Sequence, residues 1–365
     1  MKAISGKKQA FTFKLMRWGK HNDRKMPWKG ERDPYKIWLS EIILQQTRVE
    51  QGMPYYERFV ERYPTVGDLA GASDQEVFRM WQGLGYYNRC KNMLKAAREV
   101  CKTYGGLFPD TYNRILELPG IGEYTASAIA SFAYHLSHAV VDGNVQRVLA
   151  RFFGIQEAVN SPAGKKHFAT LAREVLDESD PAAYNQAIMD FGATVCTPQR
   201  PACGDCPLQK ECFAKQHQLT GTLPVKIPKA KPRTRYFSYV VVCYRGKTSL
   251  ETYLHKRDSG DIWQNLHEFT LCEDEKFSDE KALLTETPVG LWLKGNPVGS
   301  LKWSKTYRQQ LTHQVINARF LRIDLQKPVS AGLRGDYFPV PADRLNEYAF
   351  PRIIVRYLQD AKLLK

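Results

Sequence analysis

Apolar residues recur at steps of three and four positions along much of the first 216 residues, the spacing that lines one face of an α-helix. Glycine, proline and aspartate separate these segments, as turns require. The pattern predicts an all-α domain over residues 1–216. It is clearest in KIWLSEIILQQTRVEQ (36–51), DQEVFRMWQGLGYY (74–87), NMLKAAREVCKTY (92–104) and YTASAIASFAYHL (124–136).

After residue 235 the pattern changes to runs of β-branched and aromatic residues, which are typical of strands. These runs are YFSYVVVCYR (236–245), LETYLHKR (250–257) and the alternating QVINARFLRIDL (314–325). They predict a smaller α/β domain over residues 236–365.

Residues 217–235 join the two predicted domains. Their second part, LPVKIPKAKPRTR (223–235), contains three prolines, five basic residues and no acidic residue. This composition is typical of an extended linker, and we predict that it is mobile.

The charge of the chain indicates a class of partner. Lys and Arg outnumber Asp and Glu by 53 to 38 in the 365-residue chain, a formal net charge of +15, which favours a polyanionic partner. The first residues, MKAISGKKQAFTFKLMRW, lack the apolar core of a signal peptide, and no run of 18 apolar residues could cross a membrane. We therefore expect a cytoplasmic protein that binds nucleic acid and no membrane.

Four cysteines are concentrated within seventeen residues: Cys196, Cys203, Cys206 and Cys212, in the pattern C-x6-C-x2-C-x5-C. Zinc sites with four cysteines usually contain two C-x2-C pairs, and only one is present here. A cubane cluster accepts four thiolates from such an irregular loop. The spacing favours a [4Fe–4S] cluster over the two alternatives, a zinc ion and four free thiols.

The sequence LPGIGEYT (118–125) lies between two helical patterns. Gly120 and Gly122 allow a tight turn that a side chain would obstruct. The next helix then begins with free backbone N–H groups, which can bind an anion. The motif predicts a helix-hairpin-helix that holds a DNA phosphate, and a plain helical turn is the alternative.

Two carboxylates suit cleavage of a glycosidic bond. Glu41 lies among apolar residues of a predicted helix, and burial there would raise its pKa; the alternative is a solvent-facing position. Asp142, in VVDGNVQRVLARFF (140–153), is predicted to cap a helix and to stay ionised. Such a pair can protonate the leaving group and face a cationic sugar.

Together, LPGIGEYT, VDGN (141–144) and the cysteine loop resemble the endonuclease III superfamily of base-excision glycosylases. The finer resemblance, over nearly the whole chain, is to the adenine DNA glycosylase (MutY) family. It rests on MPWKGERDPYKIWLSEIILQQTRVEQ (26–51), WQGLGYYNR (81–89), YNQAIMDFGATVCTPQRPAC (184–203) and RDSGDIWQNLHEF (257–269).

The resemblance implies a two-domain fold. An all-α helix-hairpin-helix glycosylase domain, with its hairpin at about 113–130 and a [4Fe–4S] loop at 196–212, precedes an α/β Nudix-like domain at 236–365. It also implies the partner and the reaction. A monomer would bind double-stranded DNA, flip out adenine mispaired with 8-oxoguanine or guanine, and hydrolyse its N-glycosidic bond.

One position separates the branches of the superfamily. Endonuclease III-type enzymes carry a lysine just after the Gly-x-Gly, where it forms a Schiff base. This chain has Tyr124 there and no lysine between residues 103 and 164. The resemblance therefore implies a monofunctional glycosylase. A bifunctional glycosylase/lyase and a non-catalytic iron–sulfur DNA-binding protein are the alternatives, and the two carboxylates argue against the second.

The family resemblance also assigns roles to single residues. Glu41 matches the acid that protonates adenine N7, Asp142 the carboxylate that stabilises the oxocarbenium ion, and Tyr124 and Asn144 residues that assist at the base and the sugar. The residues that match the adenine pocket are Trp28, Leu44 and Gln186. Those that match the contacts to the opposing 8-oxoguanine are Gln46, Thr47, Leu84 and Tyr86.

The second domain departs from the family pattern. The family usually carries Phe-Ser-His in a hairpin that senses 8-oxoguanine, and the equivalent here is Leu311-Thr312-His313. Thr312 keeps the hydroxyl and His313 is retained. The clustered glutamates of a Nudix hydrolase are missing, so the resemblance implies recognition and not nucleotide hydrolysis.

Overall fold

The structure, a computed structural model, describes residues 2–22, 24–228, 231–246, 249–258 and 260–364. Lys229 and Ala230 of the predicted linker and Ser259 of the segment 257–269 lie outside the described residues. Helices occupy the chain up to residue 216 and strands predominate after residue 232. The helices of the first part are α1 Lys2–His21, α2 Pro34–Leu44, α3 Val49–Arg62, α4 Val66–Gly71, α5 Asp74–Trp81, α6 Tyr87–Tyr104, α7 Tyr112–Leu116, α8 Glu123–Tyr134, α9 Gly143–Phe153, α10 Pro162–Glu174, α11 Pro181–Thr194 and α12 Phe213–Gln216.

Several of these helices begin where the sequence signals a start. Asp33, Ser161 and Asp180 each precede a proline at the first helical position and accept a backbone hydrogen bond from the first turn. Proline is suited to that position because its fixed φ is helical and its missing N–H would have no partner in the helix. Local chemistry therefore sets these boundaries.

The segment 36–51, where the helical spacing is clear in the sequence, spans parts of two helices. α2 ends at Leu44, Gln46 adopts a left-handed backbone with φ 56°, and α3 begins at Val49. Gly52 of α3 approaches Leu44 so closely that a Cβ on it would lie 2.8 Å from the leucine Cδ2. The break between the helices leaves Gln46 and Thr47 on a turn instead of on a helix face.

The chain forms two compact units, one of residues 1–71 and 92–228 and the other of residues 72–91 and 229–365. The first unit includes the beginning of the predicted linker. Val159 N–H donates to the Val225 carbonyl at 3.0 Å, and the Asn160 side chain bonds the backbone of Ile227 at 2.9 Å in both directions. Residues 225–227 are thus held by the helical unit.

The core of the first unit surrounds α9 and α11. Phe11 of α1 packs on Phe152 of α9 with ring centroids 4.8 Å apart, and Trp18 packs edge-on against Phe191 of α11 at 5.0 Å. Because both helices are anchored by buried aromatic side chains, their polar ends are held in fixed positions.

The second unit contains a mixed β-sheet. Its strands are β1 Arg233–Arg245, β2 Leu250–Lys256, β3 His267–Glu268, β4 Thr270–Asp274, β5 Val298–Trp303, β6 Tyr307–Gln310, β7 Gln314–Leu325 and β8 Phe338–Pro341. The order in the sheet is β3-β2-β1-β7-β5, and β4, β6 and β8 also pair with β1, β7 and β2, respectively. β1 and β7 are parallel over twelve residue pairs, and the other pairs are antiparallel.

Helices cover this sheet. α13 Glu280–Glu286 and α14 Val289–Leu293 contribute Leu283 and Trp292 to its buried core. Tyr357 of α15 Arg352–Asp360 stacks on Phe320 of β7 with ring centroids 4.0 Å apart. The predicted order, an all-α domain followed by a sheet domain with helices, is confirmed, and the strand predicted at 314–325 is β7. No helix in the described part of the chain is long and apolar enough to cross a membrane.

Candidate active site

The first unit contains a cavity of about 1030 Å³ between the ends of α2, α8, α9 and α11. It brings together predicted site residues that are up to 158 positions apart in the sequence, from Trp28 to Gln186. The predicted site residues that line it are Trp28, Glu41, Leu44, Gln46, Thr47, Tyr124, Asp142, Asn144 and Gln186.

Glu41 lies in α2 and is 8% exposed, which excludes the solvent-facing alternative. Burial, which disfavours the charged form, is the main cause that raises its pKa to about 7, and the nearby Asp142 carboxylate adds to the effect. A hydrogen bond from Tyr124 acts in the opposite direction. The carboxyl of Glu41 can therefore hold a proton near neutral pH.

Tyr124, the second residue of α8, lies beside Glu41 at the floor of the cavity. Burial, together with the two carboxylates, raises its pKa well above the usual range. The phenol consequently keeps its proton and acts as a hydrogen-bond donor to Glu41. No amine occupies this position.

Asp142 caps α9, as predicted. Its carboxylate accepts the Val145 N–H at 2.7 Å and the side-chain amide of Asn144 at 2.7 Å. Its pKa is nevertheless raised, because burial outweighs these two donors and the attraction of Arg147. The cap is present as predicted, but its hydrogen-bond donors only limit the rise in the Asp142 pKa that burial causes.

Arg147, one helical turn after Asn144, was not singled out from the sequence. Its guanidinium is 8% exposed and donates to Asn144 Oδ1 at 2.8 Å, to the Gly192 carbonyl at 2.7 Å and to the Cys196 carbonyl at 2.7 Å. The Asn144 amide bonds Asp142, and Arg147 links that amide to Gly192 of α11 and to Cys196 of the cysteine loop. Its i,i+3 spacing from Asn144 in one helix was the available sequence signal.

The hairpin before α8 has the predicted turn. Gly120 has φ 77°, and a Cβ on it would lie 2.5 Å from the Cβ of Asn92, so only glycine fits. Gly122 is the N-cap of α8. The turn places Tyr124 directly after the start of the helix.

The four loop cysteines lie around one cavity that α9 also lines: Cys196, Cys203, Cys206 and Cys212. Arg151 braces this loop, donating to the carbonyls of Thr197 at 2.7 Å and Pro198 at 2.9 Å, and lies 3.4 Å from Cys196 Sγ. Among the described residues, no three His, Cys, Asp or Glu side chains are grouped tightly enough for a single metal ion. A cubane is bound by four thiolates, so four thiols around one cavity, with the Arg151 guanidinium beside Cys196, are the ligand set that such an anionic cluster requires.

Comparison with known proteins identifies the family. Residues 39–175 match the HhH-GPD superfamily base excision DNA repair protein family. The chain is 34% identical to the adenine DNA glycosylase of Buchnera aphidicola subsp. Acyrthosiphon pisum, over 79% of this chain and 78% of that protein. The chain belongs to the adenine DNA glycosylase family.

Two further matches each cover 59% of this chain. The adenine DNA glycosylase of Mus musculus is 42% identical over 59% of this chain and 43% of the mouse protein. The solved structure of a thermostable thymine-DNA glycosylase matches with a TM-score of 0.55 and 30% identity, over 59% of this chain and 99% of that one.

Membership of the adenine DNA glycosylase family confirms the predicted class of reaction, hydrolysis of an N-glycosyl bond in base excision repair. It also confirms DNA as the class of substrate. Enzymes of this family and of the endonuclease III family typically carry a [4Fe–4S] cluster.

The remaining predicted residues of the adenine DNA glycosylase site lie in the second unit. Tyr86 has φ 49°, is 45% exposed, and its hydroxyl lies 2.8 Å from Thr312 Oγ1. His313 is exposed, and Leu84 is buried at 6% exposure. The structure therefore pairs Tyr86 with Thr312 across 226 positions of sequence.

Sequence reasoning also missed a charged pair in the pocket wall. Lys29 Nζ lies 3.0 Å from Asp190 Oδ2, and the same oxygen accepts the Gln186 amide at 3.0 Å. Asp190 follows Gln186 by one helical turn in α11, which is the signal that could have revealed it.

Proposed function

We propose that this chain removes adenine opposite 8-oxoguanine or guanine in double-stranded DNA and leaves the strand intact. The observation that carries this proposal is the pair of carboxyls in one pocket, Glu41 with a pKa of about 7 and the capping Asp142. One carboxyl suits donation of a proton and the other suits a developing positive charge.

The proposed reaction begins with a flipped adenine in the cavity. Protonated Glu41 gives its proton to adenine N7, and the electrons of the N-glycosidic bond leave with the base. The ionised Asp142 faces the oxocarbenium ion, and water adds to C1′ while it passes a proton to the Glu41 carboxylate, which restores the acid. Tyr124 orients Glu41 by a hydrogen bond, and Asn144 orients Asp142 through its bond at 2.7 Å.

The walls of the cavity suit a purine. Trp28, Leu44 and Gln186 line it, and the Trp28 ring is fixed edge-on against Tyr56 with centroids 5.3 Å apart. The turn at Gly120 and Gly122 leads to the N-terminus of α8, where we place a DNA phosphate. The formal net charge of +15 supports a polyanionic partner.

We further propose that the cysteine loop, at 196–212, holds a [4Fe–4S] cluster through Cys196, Cys203, Cys206 and Cys212. When bound, the cluster would supply four iron–thiolate bonds that cross-link this loop. Arg147 and Arg151 of α9 donate to backbone carbonyls of the loop, so a loop fixed by the cluster would also be fixed relative to α9.

Recognition of the opposing base is proposed for residues of the glycosylase domain at 1–216 and of the domain at 236–365, which residues 217–235 join. The first domain contributes Gln46, Thr47, Leu84 and Tyr86, and the second contributes Thr312 and His313. The hydrogen bond between the Tyr86 and Thr312 hydroxyls supports a joint role for these two side chains.

The first test separates simple hydrolysis from strand cleavage. Under single-turnover conditions, the wild-type protein should release adenine from a duplex with adenine opposite 8-oxoguanine. The strand should break only after alkali, because Tyr124 provides no amine for a Schiff base. Borohydride added during the reaction should trap no protein–DNA adduct in quantity. A strong trapped band would instead support a bifunctional lyase.

The second test concerns the opposing base. The Thr312→Ala, His313→Ala double variant should lose about 10- to 100-fold of its preference for 8-oxoguanine over guanine opposite adenine, since a contact to one base edge contributes roughly 1–3 kcal/mol. Single-turnover rates and duplex affinities with both opposing bases give this ratio.

Matched variants sharpen that result. Thr312→Ser keeps the hydroxyl and should keep the preference for 8-oxoguanine. Tyr86→Phe removes only the hydroxyl that bonds Thr312 and should lose part of that preference. An equal fall on both substrates would mean that these residues supply general DNA affinity, and the sensing role would be wrong.

A further inference from the structure

One wall of the cavity has an arrangement that the proposed chemistry does not use. Asp190 of α11 is 3% exposed, and its Oδ2 accepts both the Lys29 ammonium and the Gln186 side-chain amide at 3.0 Å. All three residues line the same cavity as Glu41. The amide of Gln186 therefore lies between a buried carboxylate and the space for a base.

This contact decides which end of the amide faces the cavity. The Asp190 Oδ2 atom that Gln186 contacts also accepts from the Lys29 ammonium at 3.0 Å, so this oxygen faces the Gln186 amide as an acceptor. The NH2 group of Gln186 must then be the end that points at Asp190. Its carbonyl oxygen, Oε1, is left as the end available to a bound base.

We propose that Asp190, held by Lys29, is a positioning residue that locks the Gln186 amide with its oxygen toward the base and so selects a 6-aminopurine over a 6-oxopurine. This inference rests on the proposed binding of a flipped purine beside Glu41.

The selectivity follows from the base edges. The amino group at C6 of adenine is a donor and matches the Gln186 oxygen, whereas a 6-oxo group is an acceptor and faces it with two lone pairs opposed. An unrestrained amide would simply rotate and offer its NH2 group to the 6-oxo group. The contact with Asp190 disfavours the rotated amide, because rotation would place the Gln186 oxygen against the Asp190 carboxylate.

The experiment compares adenine with hypoxanthine, both placed opposite 8-oxoguanine, in single-turnover excision by the full-length protein. The wild-type protein should excise adenine at least 10-fold faster than hypoxanthine. Asp190→Leu, which removes the acceptor, should raise the hypoxanthine-to-adenine rate ratio by about 10- to 100-fold.

Two variants distinguish amide orientation from a general packing role. Asp190→Asn keeps an acceptor oxygen that Gln186 and Lys29 can share but adds an NH2 group that could bond the rotated Gln186 amide, so its ratio should lie between those of the wild type and Asp190→Leu. Adding Gln186→Glu to Asp190→Leu should restore the preference for adenine, because either carboxylate oxygen accepts and no orientation is needed. If Asp190→Leu does not fold, Asp190→Ala makes the same comparison.

The outcomes separate this inference from the proposed function. A wild-type protein that releases no adenine contradicts the proposed function itself. Normal adenine release with equal wild-type rates on the two bases overturns only the inference. So does an Asp190→Leu ratio equal to that of the wild type, or a ratio that rises as much in Asp190→Asn as in Asp190→Leu.

Discussion

Glu41→Gln is expected to slow adenine release by at least about 100- to 10,000-fold while binding of the mismatched duplex is retained. A positioned general acid contributes on this scale, and glutamine has no proton of suitable acidity to give. Its amide can still bond Tyr124, so the pocket should keep its shape. Single-turnover excision and a duplex-binding titration measure the two effects separately.

The wild-type pH profile provides an independent measure of the same group. Because Glu41 must be protonated to act, excision should be steady below its pKa of about 7 and fall about tenfold per unit above it. On the acid side, protonation of Asp142 should reduce the rate, since only its ionised form stabilises a cation. The alkaline fall should vanish in Glu41→Gln.

The same substitution should stabilise the fold at alkaline pH. The pKa of Glu41 is raised from 4.5 to about 7 in the folded protein. Its contribution to the free energy of unfolding is therefore fully present below pH 4.5 and is lost as the pH rises through 7. At about 1.4 kcal/mol per unit, the loss approaches roughly 3 kcal/mol. Thermal unfolding at pH 8 should therefore give a higher Tm for Glu41→Gln than for the wild type.

Near-normal excision by Glu41→Gln would exclude Glu41 as the proton donor. An inactive variant with a lowered Tm at pH 8 would instead mean that the substitution damages the pocket. Activity loss combined with a raised Tm is the result that the buried carboxyl requires.

Cys203→Ser is expected to cause the second large effect, loss of most folded, DNA-binding protein. The loop has little regular structure between α11 and the short α12, and its described bonds to α9 come from Arg147 and Arg151. Metal–ligand bonds form only in the folded state, so their free energy adds directly to stability. The free energy of unfolding of a domain is only about 5–15 kcal/mol in total, so loss of these bonds should leave little folded protein.

The measurement is iron content and folded yield. The wild-type protein should be yellow-brown with about four irons per chain, as one cubane requires. Cys101→Ser, a partly exposed cysteine of α6 outside the loop, is the matched control and should keep iron, colour and activity. A colourless, fully active wild-type protein with one zinc ion would refute the cluster.

Local features of this site could be predicted from the sequence. Asp142 caps α9 through bonds that span three residues, and Gly120 and Gly122 form a turn whose geometry depends on the absence of a side chain. The cysteine spacing likewise places four thiols in one short loop. These features depend on residues that are close together in the sequence, so they can be predicted without the tertiary structure.

Other features were decided by packing between distant segments. Glu41 sits in an apolar stretch that would suit burial or exposure equally, and only the fold buries it beside Asp142 and Tyr124. Apolar residues at helical spacing lie on both sides of the polar residues 45–48, and α2 stops at Leu44, where Gly52 packs against it. Hydrophobic periodicity marks which face is apolar, not where the chain must turn.

The sequence by itself determined the helical and sheet domains, the capped and hairpin-bearing helices, the thiol loop and, through its motifs, the family. Only the tertiary structure decided the raised pKa of Glu41, the bridge from Asn144 through Arg147 to Cys196, the direction of the Gln186 amide, and the pairing of Tyr86 with Thr312. The reason is physical: caps and turns are set by bonds between near neighbours, whereas burial and long-range hydrogen bonds depend on residues that only folding brings together.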